Sequence, residues 1–564
     1  MAPRGLRSKL TNYGDPAFSL FLRKAFIKAA GYSDDALDRP IVGIANTHSD
    51  YNPCHGNVPH LIEAAKRGVM LAGALPMVFP TISIHESFAN PTSMYLRNLM
   101  AMDTEEMIRA QPMDAVILIG GCDKTLPAQL MAGASSEVPA IYLPTGPMSL
   151  GHYRGETLGA CTDCRRYWGM FRAGEMDQRE LDEVNNHLVS SIGTCAVMGT
   201  ASTMACLVEA MGLCLPMAAS APAVDAERIR LAEETGRVAA RLATEGGPTV
   251  REILTPDAMH NALVMLQALG GSTNAVVHLA AIVGRLGGKL DMRLLDELGR
   301  RIPVLVDLKP SGAHYLEHFH RAGGVPRLMK ALGGDIRAKA ATVLGRTIGE
   351  IVDSVVEDPG QTIIATPANP VKPMGAIAVL YGNLAPAGAV IKQSAASPTL
   401  SRHQGRAVVF DSLEDLSHRI DDETLDVRAD DILVLRNAGP KGAPGMPEAG
   451  YLPIPRKLAR QGVKDMVRIS DARMSGTAFG TIVLHIAPEA AVGGPLAIVR
   501  SGDVIRLDLD GRSLDLMIDQ AEFDARMRAL RSSCSLTGLR GYERLYQEHV
   551  LQADGGADFD FLTG

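Results

Sequence analysis

The sequence predicts an α/β protein with two domains: a mostly parallel sheet covered by helices, and then a strand-rich, barrel-like domain. At 564 residues the chain exceeds what one hydrophobic core usually serves. In its first two-thirds, short apolar strands alternate with helical stretches, which is the order that produces a parallel sheet with helices on its faces. Further along, short strands lie among many glycines and prolines. We place the two domains at residues 1–374 and 375–564.

Short apolar runs predict the strands of the N-terminal domain. These runs lie at 40–46, 76–82, 114–120 and 138–143. Helices are predicted at 58–72, from about residue 128 onward, and at 224–243, where apolar side chains recur at helical spacing. Asp225 and Glu227 lie near the N-terminal end of that last helix, where negative charge suits the helix dipole.

The C-terminal domain contains a second series of short strands. Asp510-Gly511 stands between two of them, and this dipeptide is a strong signal for a tight hairpin turn. The predicted strands lie at 375–390, 406–410, 431–436, 466–469, 505–509 and 513–518.

Charge and composition favour a cytoplasmic protein and argue against two classes of partner. A net charge of −7 and a pI near 6.1 argue against nucleic acid or a polybasic membrane contact as partner. Apolar stretches such as 275–283 are too short to span a membrane, and no apolar signal core follows the basic residues of 1–14. Eight cysteines are too few for a disulfide framework in a chain of this size, so we expect reduced thiols.

Three cysteines lie in loops that follow predicted strands or open a helix. They are Cys54, Cys122 and Cys195, and parallel sheets place their sites in such loops. Three converging thiolates could hold an iron–sulfur cluster and leave one iron position open, as a Lewis acid requires. The alternative for any one of them is a buried cysteine that acts as a small hydrophobic residue.

Cys161 and Cys164 form a Cys-x-x-Cys pair, which suggests zinc binding or redox chemistry. The chain has no second such pair to complete a zinc site, and His152 is one possible additional ligand. Their role is left open. Cys206 and Cys214 lie in or beside an apolar helix, and we expect them in the core.

Several residues have side chains that suit a hard metal ion. Carboxylate oxygens are the ligands that Mg²⁺ prefers, and the segment before Glu448 is too rich in glycine and proline for a helix or a central strand. Each acid taken singly could instead be a solvated surface charge. The candidates are Glu86, Asp123 and Glu448, with Lys124 directly after Asp123.

Ser475 lies in a loop after a predicted strand and is followed by Gly476. It could be a nucleophile, a base or a turn-forming residue, and the local sequence alone favours the turn. The chain has no Gly-x-Ser-x-Gly, Walker, His-Glu-x-x-His or convincing dinucleotide motif, so those enzyme classes are disfavoured.

Taken together, these segments resemble the dihydroxy-acid/6-phosphogluconate dehydratase family, which includes the sugar-acid (aldonate) dehydratases. The resemblance covers nearly the whole chain, and the matching motifs occur in the family's order. They are Gly121-Cys-Asp-Lys-Thr125, Gly193-Thr-Cys195 with Met198-Gly-Thr-Ala-Ser202, Gly270-Gly-Ser-Thr-Asn274, Lys309-Pro-Ser-Gly312, Gly439-Pro-Lys-Gly-Ala-Pro-Gly-Met-Pro-Glu448 and Ser470-Asp-Ala-Arg-Met-Ser-Gly476.

The resemblance implies two cofactors and a base. The cluster ligands would be Cys54, Cys122 and Cys195, and a cysteine at position 54 accompanies the [2Fe–2S] form rather than the [4Fe–4S] form. Mg²⁺ would be bound by Glu86, Asp123 and Glu448, joined by Lys124 as a carbamate. Ser475 matches the family's proposed base.

The implied reaction is the loss of water from a 2,3-dihydroxy carboxylate, in which Ser475 removes the C2 proton and the resulting enol becomes a 2-keto acid. Three segments, 161–168, 541–546 and 558–562, resemble those of the pentonate dehydratases. We therefore expect the substrate to be a sugar acid, with L-arabinonate as the leading candidate. Branched-chain dihydroxy acids are the alternative substrates. A different alternative is a non-catalytic iron–sulfur sensor on the same scaffold. The family also suggests a homodimer or homotetramer.

Overall fold

The computed structural model describes residues 4–10, 12–356, 358–530 and 538–564. Cys534, one of the eight cysteines, lies outside the described residues. Within them the strands, numbered β1 to β14, are Ile41–Asn46, Leu75–Pro80, Ala115–Gly120, Ala140–Pro144, Gly151–Tyr153, Glu156–Leu158, Ile377–Gly382, Ala385–Lys392, Arg402–Phe410, Ile432–Leu435, Arg468–Ser470, Ile482–Ala487, Val504–Asp508 and Ser513–Leu516.

The α-helices of the described residues are numbered α1 to α20. They are Pro16–Lys28, Asp34–Leu37, Val58–Leu71, Arg97–Ala110, Thr125–Ser135, Cys161–Ala173, Gln178–Leu188, Thr200–Ala210, Ala226–Glu245, Val250–Ile253, Pro256–Ala268, Asn274–Arg285, Met292–Arg301, Leu316–Arg321, Gly324–Leu332, Ile348–Asp353, Leu413–Arg419, Arg456–Arg460, Gln520–Ala529 and Gly541–His549. None of them is both long enough and apolar enough to cross a membrane.

The N-terminal half contains a four-stranded sheet in the order β2-β1-β3-β4, and every neighbouring pair is parallel. β3 and β4 are buried along their whole length, as expected for strands with helices on both faces. Because the strands are parallel, their carboxyl ends meet at one edge of the sheet. The loops after β1, β2 and β3 therefore emerge side by side.

Helices α3 and α9 pack against each other closely enough to require glycine. A Cβ atom on Gly68 of α3 would lie 1.9 Å from the carbonyl oxygen of Glu233, and one on Gly236 of α9 would lie 2.2 Å from that of Ala65. These two glycines let the helix backbones approach each other beside the sheet.

The C-terminal half forms a closed barrel of eight strands in the order β10-β11-β12-β8-β7-β14-β13-β9, which β9 and β10 close as a parallel pair. This confirms the predicted fold class of a helix-covered parallel sheet followed by a barrel. β13 and β14 are antiparallel on either side of Asp510-Gly511, as the hairpin signal predicted. The predicted domain boundary at 374/375 stays a prediction, although the first barrel strand begins at Ile377.

Two predicted elements differ from the structure. The run 375–390 is not one strand but the antiparallel pair β7 and β8, which turns at Gly382 with φ of +148°. Helix α5 begins at Thr125 and not near residue 128, because Pro127 lies in its first turn, where proline needs no hydrogen-bond partner for its nitrogen.

The C-terminal segment returns to the N-terminal domain and packs against it. Buried Arg97 donates hydrogen bonds to the carbonyls of Gly556 and Ala557, at 2.7 and 3.0 Å. Arg285 forms a fully buried ion pair with Asp558. These contacts tie the two halves of the chain together beside the loops that carry the predicted site residues.

Candidate active site

Cys54 and Cys122 lie together at the carboxyl edge of the sheet. Cys54 is in a 3-10 turn, Pro53–His55, after β1, and Cys122 follows β3 directly. The two sulfurs and a ring nitrogen of His85 all lie within 4.8 Å of one another. The hydrogen bond to Cys122, burial and the neighbouring Cys122, Cys195 and Asp123 raise the pKa of the Cys54 thiol.

His55 holds the two cysteine loops in position. Its Nε2 accepts hydrogen bonds from the backbone N–H groups of Gly121 (3.0 Å) and Cys122 (3.1 Å). Its Nδ1 donates to the carbonyl of Thr47 at 2.8 Å, which assigns the neutral tautomer. Burial lowers the pKa of His55 to about 4, so the ring stays neutral near neutral pH. The sequence analysis missed this residue, although it stands next to Cys54.

Cys195 lies in the segment that opens α8, five residues before the helix begins at Thr200, and its sulfur is 3.3 Å from that of Cys161, the first residue of α6. The sequence analysis left the role of Cys161 and Cys164 open, and the thiol that Cys161 contacts is that of Cys195. Their hydrogen bond lowers the pKa of the Cys161 thiol and raises that of Cys195. Cys206 and Cys214 are buried in the core, as predicted.

Glu86, Asp123 and Glu448 converge from three separate loops, and each offers an oxygen within 4.8 Å of the other two. Glu86 follows β2, Asp123 follows β3, and Glu448 begins a 3-10 turn, Glu448–Tyr451, in the C-terminal domain. Lys124 is fully buried, with Nζ 2.5 Å from Asp123 Oδ2 and 3.7 Å from Glu86 Oε2. The structure therefore brings together all four residues that the sequence analysis named as metal ligands.

Arg473 links the acids of the two domains. Its Nη2 lies 3.1 and 3.2 Å from the two oxygens of Glu86 and donates to Thr92 Oγ1 at 2.7 Å. Its Nη1 donates to Glu448. The side chain is 1% exposed, so these ion pairs are shielded from water. The sequence analysis included Arg473 in a matching motif but gave it no role, because its local pattern does not distinguish it from a surface arginine.

The pKa values of Glu86 and Glu448 are shifted in opposite directions. Burial alone would raise the pKa of Glu86, but Arg473, Lys124 and the hydroxyls of Ser93 and Thr92 hold it well below its usual value. Burial raises the pKa of Glu448, and the Arg473 guanidinium offsets only part of that effect. Three carboxylates this close repel one another, so the site as it stands favours an added cation.

Ser475 lies in the loop after β11, two residues after Arg473, which binds Glu86 and Glu448. Its Oγ is 2.8 Å from Thr477 Oγ1 and accepts a long hydrogen bond, 3.4 Å, from the Thr477 backbone N–H. Gly476 is packed so tightly that a Cβ atom there would lie 2.6 Å from Ser272 Oγ. Its carbonyl accepts a 3.4 Å hydrogen bond from Lys392 Nζ, which is fully buried and whose pKa burial lowers to about 7.

Asp471 supports the loop that carries Glu448. Its carboxylate accepts hydrogen bonds from the backbone N–H groups of Asn437 (3.2 Å), Ala438 (3.0 Å) and Ala490 (3.0 Å). Burial and the nearby Glu489 raise the pKa of Asp471 to about 7. Asp471 precedes Arg473 and Ser475 in one loop, so a single turn supports the Glu448 loop and presents both side chains.

The thiols and the carboxylates form adjoining halves of one site. Cys122 Sγ lies 3.6 Å from Asp123 Oδ1, which is the point where they meet. On the other side, Thr162, the neighbour of Cys161, donates to the carbonyl of Thr477 at 3.1 Å. Helix α6 is thus connected to the loop of Ser475. Soft ligands and hard ligands side by side suit two different metals.

Models of the N-terminal and C-terminal domains of the dihydroxy-acid/6-phosphogluconate dehydratases match residues 39–351 and 362–557. The chain is 46% identical over 566 residues to the L-arabinonate dehydratase of Rhizobium leguminosarum bv. trifolii (strain WSM2304), covering 100% of this chain and 97% of that protein.

The 6-deoxy-6-sulfo-D-gluconate dehydratase of Pseudomonas putida is 44% identical, over 94% of this chain and 91% of its own length. The dihydroxy-acid dehydratase of Carboxydothermus hydrogenoformans (strain ATCC BAA-161 / DSM 6008 / Z-2901) is 38% identical, over 95% of this chain and 97% of its own length. The matches extend over both domains that build the site. The chain therefore belongs to the dihydroxy-acid/6-phosphogluconate dehydratase family, and its activity is that of a dehydratase, a hydro-lyase.

Proposed function

We propose that this protein is a sugar-acid dehydratase, which removes water from a 2,3-dihydroxy carboxylate such as L-arabinonate and releases the 2-keto-3-deoxy acid. The observation that carries the proposal is the junction of the two ligand sets, with Cys122 3.6 Å from Asp123. A non-catalytic iron–sulfur sensor would need the thiols but not the acids beside them, nor a serine within the same site. The acids therefore favour catalysis.

Cys54, Cys122 and Cys195 would hold the iron–sulfur cluster. Burial and hydrogen bonding raise the pKa of Cys54 and Cys195, so these thiols ionise only with a cation among them. Among the described residues, Cys195 is not part of the close group that contains Cys54 and Cys122. The cysteine at position 54, which accompanies the two-iron form in the family, favours a [2Fe–2S] cluster, with a [4Fe–4S] cluster as the alternative.

Glu86, Asp123 and Glu448 would hold Mg²⁺. Their donor set consists of carboxylate oxygens only, which is the chemistry that Mg²⁺ prefers. The Lys124 ammonium stands between Asp123 and Glu86, and carbamylation would convert it into a further anionic oxygen ligand. When bound, the two metals supply the Lewis acidity that makes the C2 proton more acidic and eases the departure of the 3-hydroxyl group.

Ser475 would act as the base that removes the C2 proton. A serine hydroxyl is too weak a base in water, so its alkoxide needs stabilising donors and cationic surroundings. The Thr477 backbone N–H donates to Ser475 Oγ, and the Thr477 hydroxyl, 2.8 Å away, could donate to an alkoxide there. Loss of the C2 proton and of the 3-hydroxyl as water leaves an enol, which takes up a proton at C3 to give the 2-keto acid.

The substrate class rests on the relatives and on the segments that resemble pentonate dehydratases. Proteins named for L-arabinonate and for 6-deoxy-6-sulfo-D-gluconate are 46% and 44% identical to this chain, against 38% for a dihydroxy-acid dehydratase. We therefore place sugar acids before branched-chain dihydroxy acids. We also propose a homodimer or homotetramer in the cytoplasm, where reducing conditions keep the cluster thiols reduced.

The test is turnover of a substrate panel by anaerobically reconstituted enzyme supplied with Mg²⁺. The panel contains L-arabinonate, other pentonates and hexonates, and 2,3-dihydroxyisovalerate, and 2-keto acid formation is measured as kcat/KM. We expect the highest value on a sugar acid. A higher value on 2,3-dihydroxyisovalerate would assign the protein to branched-chain metabolism. A loaded cluster without turnover on any member would support the sensor.

A further inference from the structure

A cavity of about 820 Å³ lies between helices α6 and α7 and the C-terminal domain. Its wall includes Arg165 of α6, Tyr451 and Phe479. Tyr451 ends the 3-10 turn that Glu448 begins, and Phe479 lies four residues after Ser475. The cavity is therefore bordered by the same two segments that carry a proposed metal ligand and the proposed base.

Arg165 lies between the thiols and this cavity. It follows Cys161 by one helical turn, and long helical side chains lean toward the N-terminal end of their helix, which here is the end at the thiols. Its guanidinium carbon lies 4.7 Å from the centre of the Tyr451 ring, in a cation–π contact. The hydrogen bond to Cys195 lowers the pKa of the Cys161 thiol, and the positive charge of Arg165 adds to this effect. The guanidinium is thus close enough for its charge to act at the site.

The first turn of α6 fixes the position of Arg165. Thr162 is buried and donates to the carbonyl of Thr477 at 3.1 Å. Asp163 is 1% exposed and accepts a hydrogen bond from Lys309 Nζ at 2.9 Å. These contacts tie the helix that presents Arg165 to the loop of the proposed base and to the N-terminal domain.

The hydrogen-bonding capacity of Arg165 is unused. Two other arginines of α6 have carboxylate partners at 2.6 Å, Arg166 in Glu156 and Arg172 in Asp421. Arg165 forms no ion pair with any residue that the structure describes, and its Nε atom is buried there without a hydrogen-bond partner. A guanidinium carries five N–H donors, and a buried donor without an acceptor costs free energy. Such a side chain beside a cavity suits a ligand that is rich in acceptor oxygens.

We propose that Arg165 is a specificity-determining residue that binds the hydroxyl groups at C4 and C5 of a sugar acid, the end of the substrate remote from its carboxylate. With the carboxylate end at the metal ligands, the rest of the chain extends toward the cavity. An alkyl chain would leave the guanidinium donors unpaired, and a site built to bind a substrate hydroxyl rejects the analogue that lacks it. This inference rests on the proposed function, because it requires the carboxylate end to lie at the metal ligands.

The test compares L-arabinonate with 2,3-dihydroxypentanoate of the same configuration at C2 and C3, which lacks only the hydroxyls at C4 and C5. The anaerobically reconstituted full-length enzyme with Mg²⁺ is assayed for 2-keto acid formation, measured as kcat/KM. We expect the wild type to prefer L-arabinonate about 10- to 100-fold. Arg165→Met should lose most of this preference through a lower kcat/KM on L-arabinonate, with little change on the analogue.

The matched control is Arg166→Met, which removes the neighbouring guanidinium of the same helix and should keep the wild-type preference. The wild type decides the question even if Arg165→Met fails to fold, because equal kcat/KM on the two acids would overturn the role of Arg165 and leave the proposed function standing. An Arg165→Met variant that keeps the wild-type preference would overturn that role as well. A wild type with a loaded cluster that forms no keto acid from either compound would overturn the proposed function, and this inference with it.

Discussion

Arg473→Met tests how the site balances its charges before a metal is bound. The guanidinium is 1% exposed and pairs with Glu86 and Glu448, whose side chains are 25% and 19% exposed. The Coulomb attraction between two opposite charges about 4 Å apart is roughly 4 kcal/mol at an effective dielectric constant near 20. Part of this attraction offsets the free-energy cost of removing the guanidinium from water. Removing one partner of a buried pair typically costs about 3–5 kcal/mol.

The expected loss can be measured as a melting temperature of metal-free protein. At about 2.1 cal/mol/K per residue, 564 residues give an unfolding entropy near 1.2 kcal/mol/K, so the variant should melt about 3–4 °C below the wild type. Mg²⁺ neutralises the same carboxylates. It should therefore raise the melting temperature of Arg473→Met more than that of the wild type, by about the amount lost.

The effect of pH follows from the lowered pKa of Glu86. The stability that this carboxylate contributes is complete above its ordinary pKa of 4.5 and is lost as the pH falls through the lowered folded value. In Arg473→Met the carboxylates take up protons at higher pH, which relieves their repulsion. The difference between variant and wild type should thus be largest near pH 7 and shrink toward pH 4.

The matched control is Arg468→Met, which removes a guanidinium that is also 1% exposed and lies 2.6 Å from Asp465. It should lower the melting temperature without changing the response to Mg²⁺. The prediction is wrong if Arg473→Met has the same melting temperature as the wild type. It is also wrong if Mg²⁺ raises the melting temperatures of the two arginine variants equally.

Three further substitutions probe the base and its supports. Ser475→Ala should lower kcat by about 10²- to 10⁴-fold with iron and magnesium contents unchanged, and full activity would remove Ser475 as the base. Asp471→Asn weakens the support of the Glu448 loop and should raise the Mg²⁺ concentration for half-maximal activity about 10-fold; an unchanged value would show that the loop holds without it. Lys392→Met removes the donor to Gly476, so kcat should fall with little change in KM, and a selective rise in KM would contradict this reasoning.

The sequence predicted the site residues that follow strand ends better than those that act across the fold. Cys122, Asp123 and Glu86 were identifiable because loops after parallel strands meet at one edge. Glu448 and Ser475 were named from short motifs and the family resemblance. The closeness of Glu448 to Glu86 depends on how the barrel packs against the sheet, which no local pattern encodes.

Arg473, His55 and the contact between Cys161 and Cys195 were not predicted, for the same physical reason. Arg473 bonds to Glu86 across 387 positions of the chain, and His55 to Cys122 across 67. The role of the Cys161-x-x-Cys164 pair was left open, and α6 turns the Cys161 sulfur toward Cys195, 34 residues away. Local spacing reports neighbours within an element, and these contacts join separate elements.

The most direct test of the account is the position of solvent hydrogen in the product. Anaerobically reconstituted enzyme with Mg²⁺ should convert L-arabinonate in D₂O to its 2-keto-3-deoxy acid, and NMR should find one deuterium at C3, since the C2 proton is removed and the enol is protonated from solvent. Absence of the keto acid, or a product with no deuterium at C3, would contradict dehydration through loss of the C2 proton at this site.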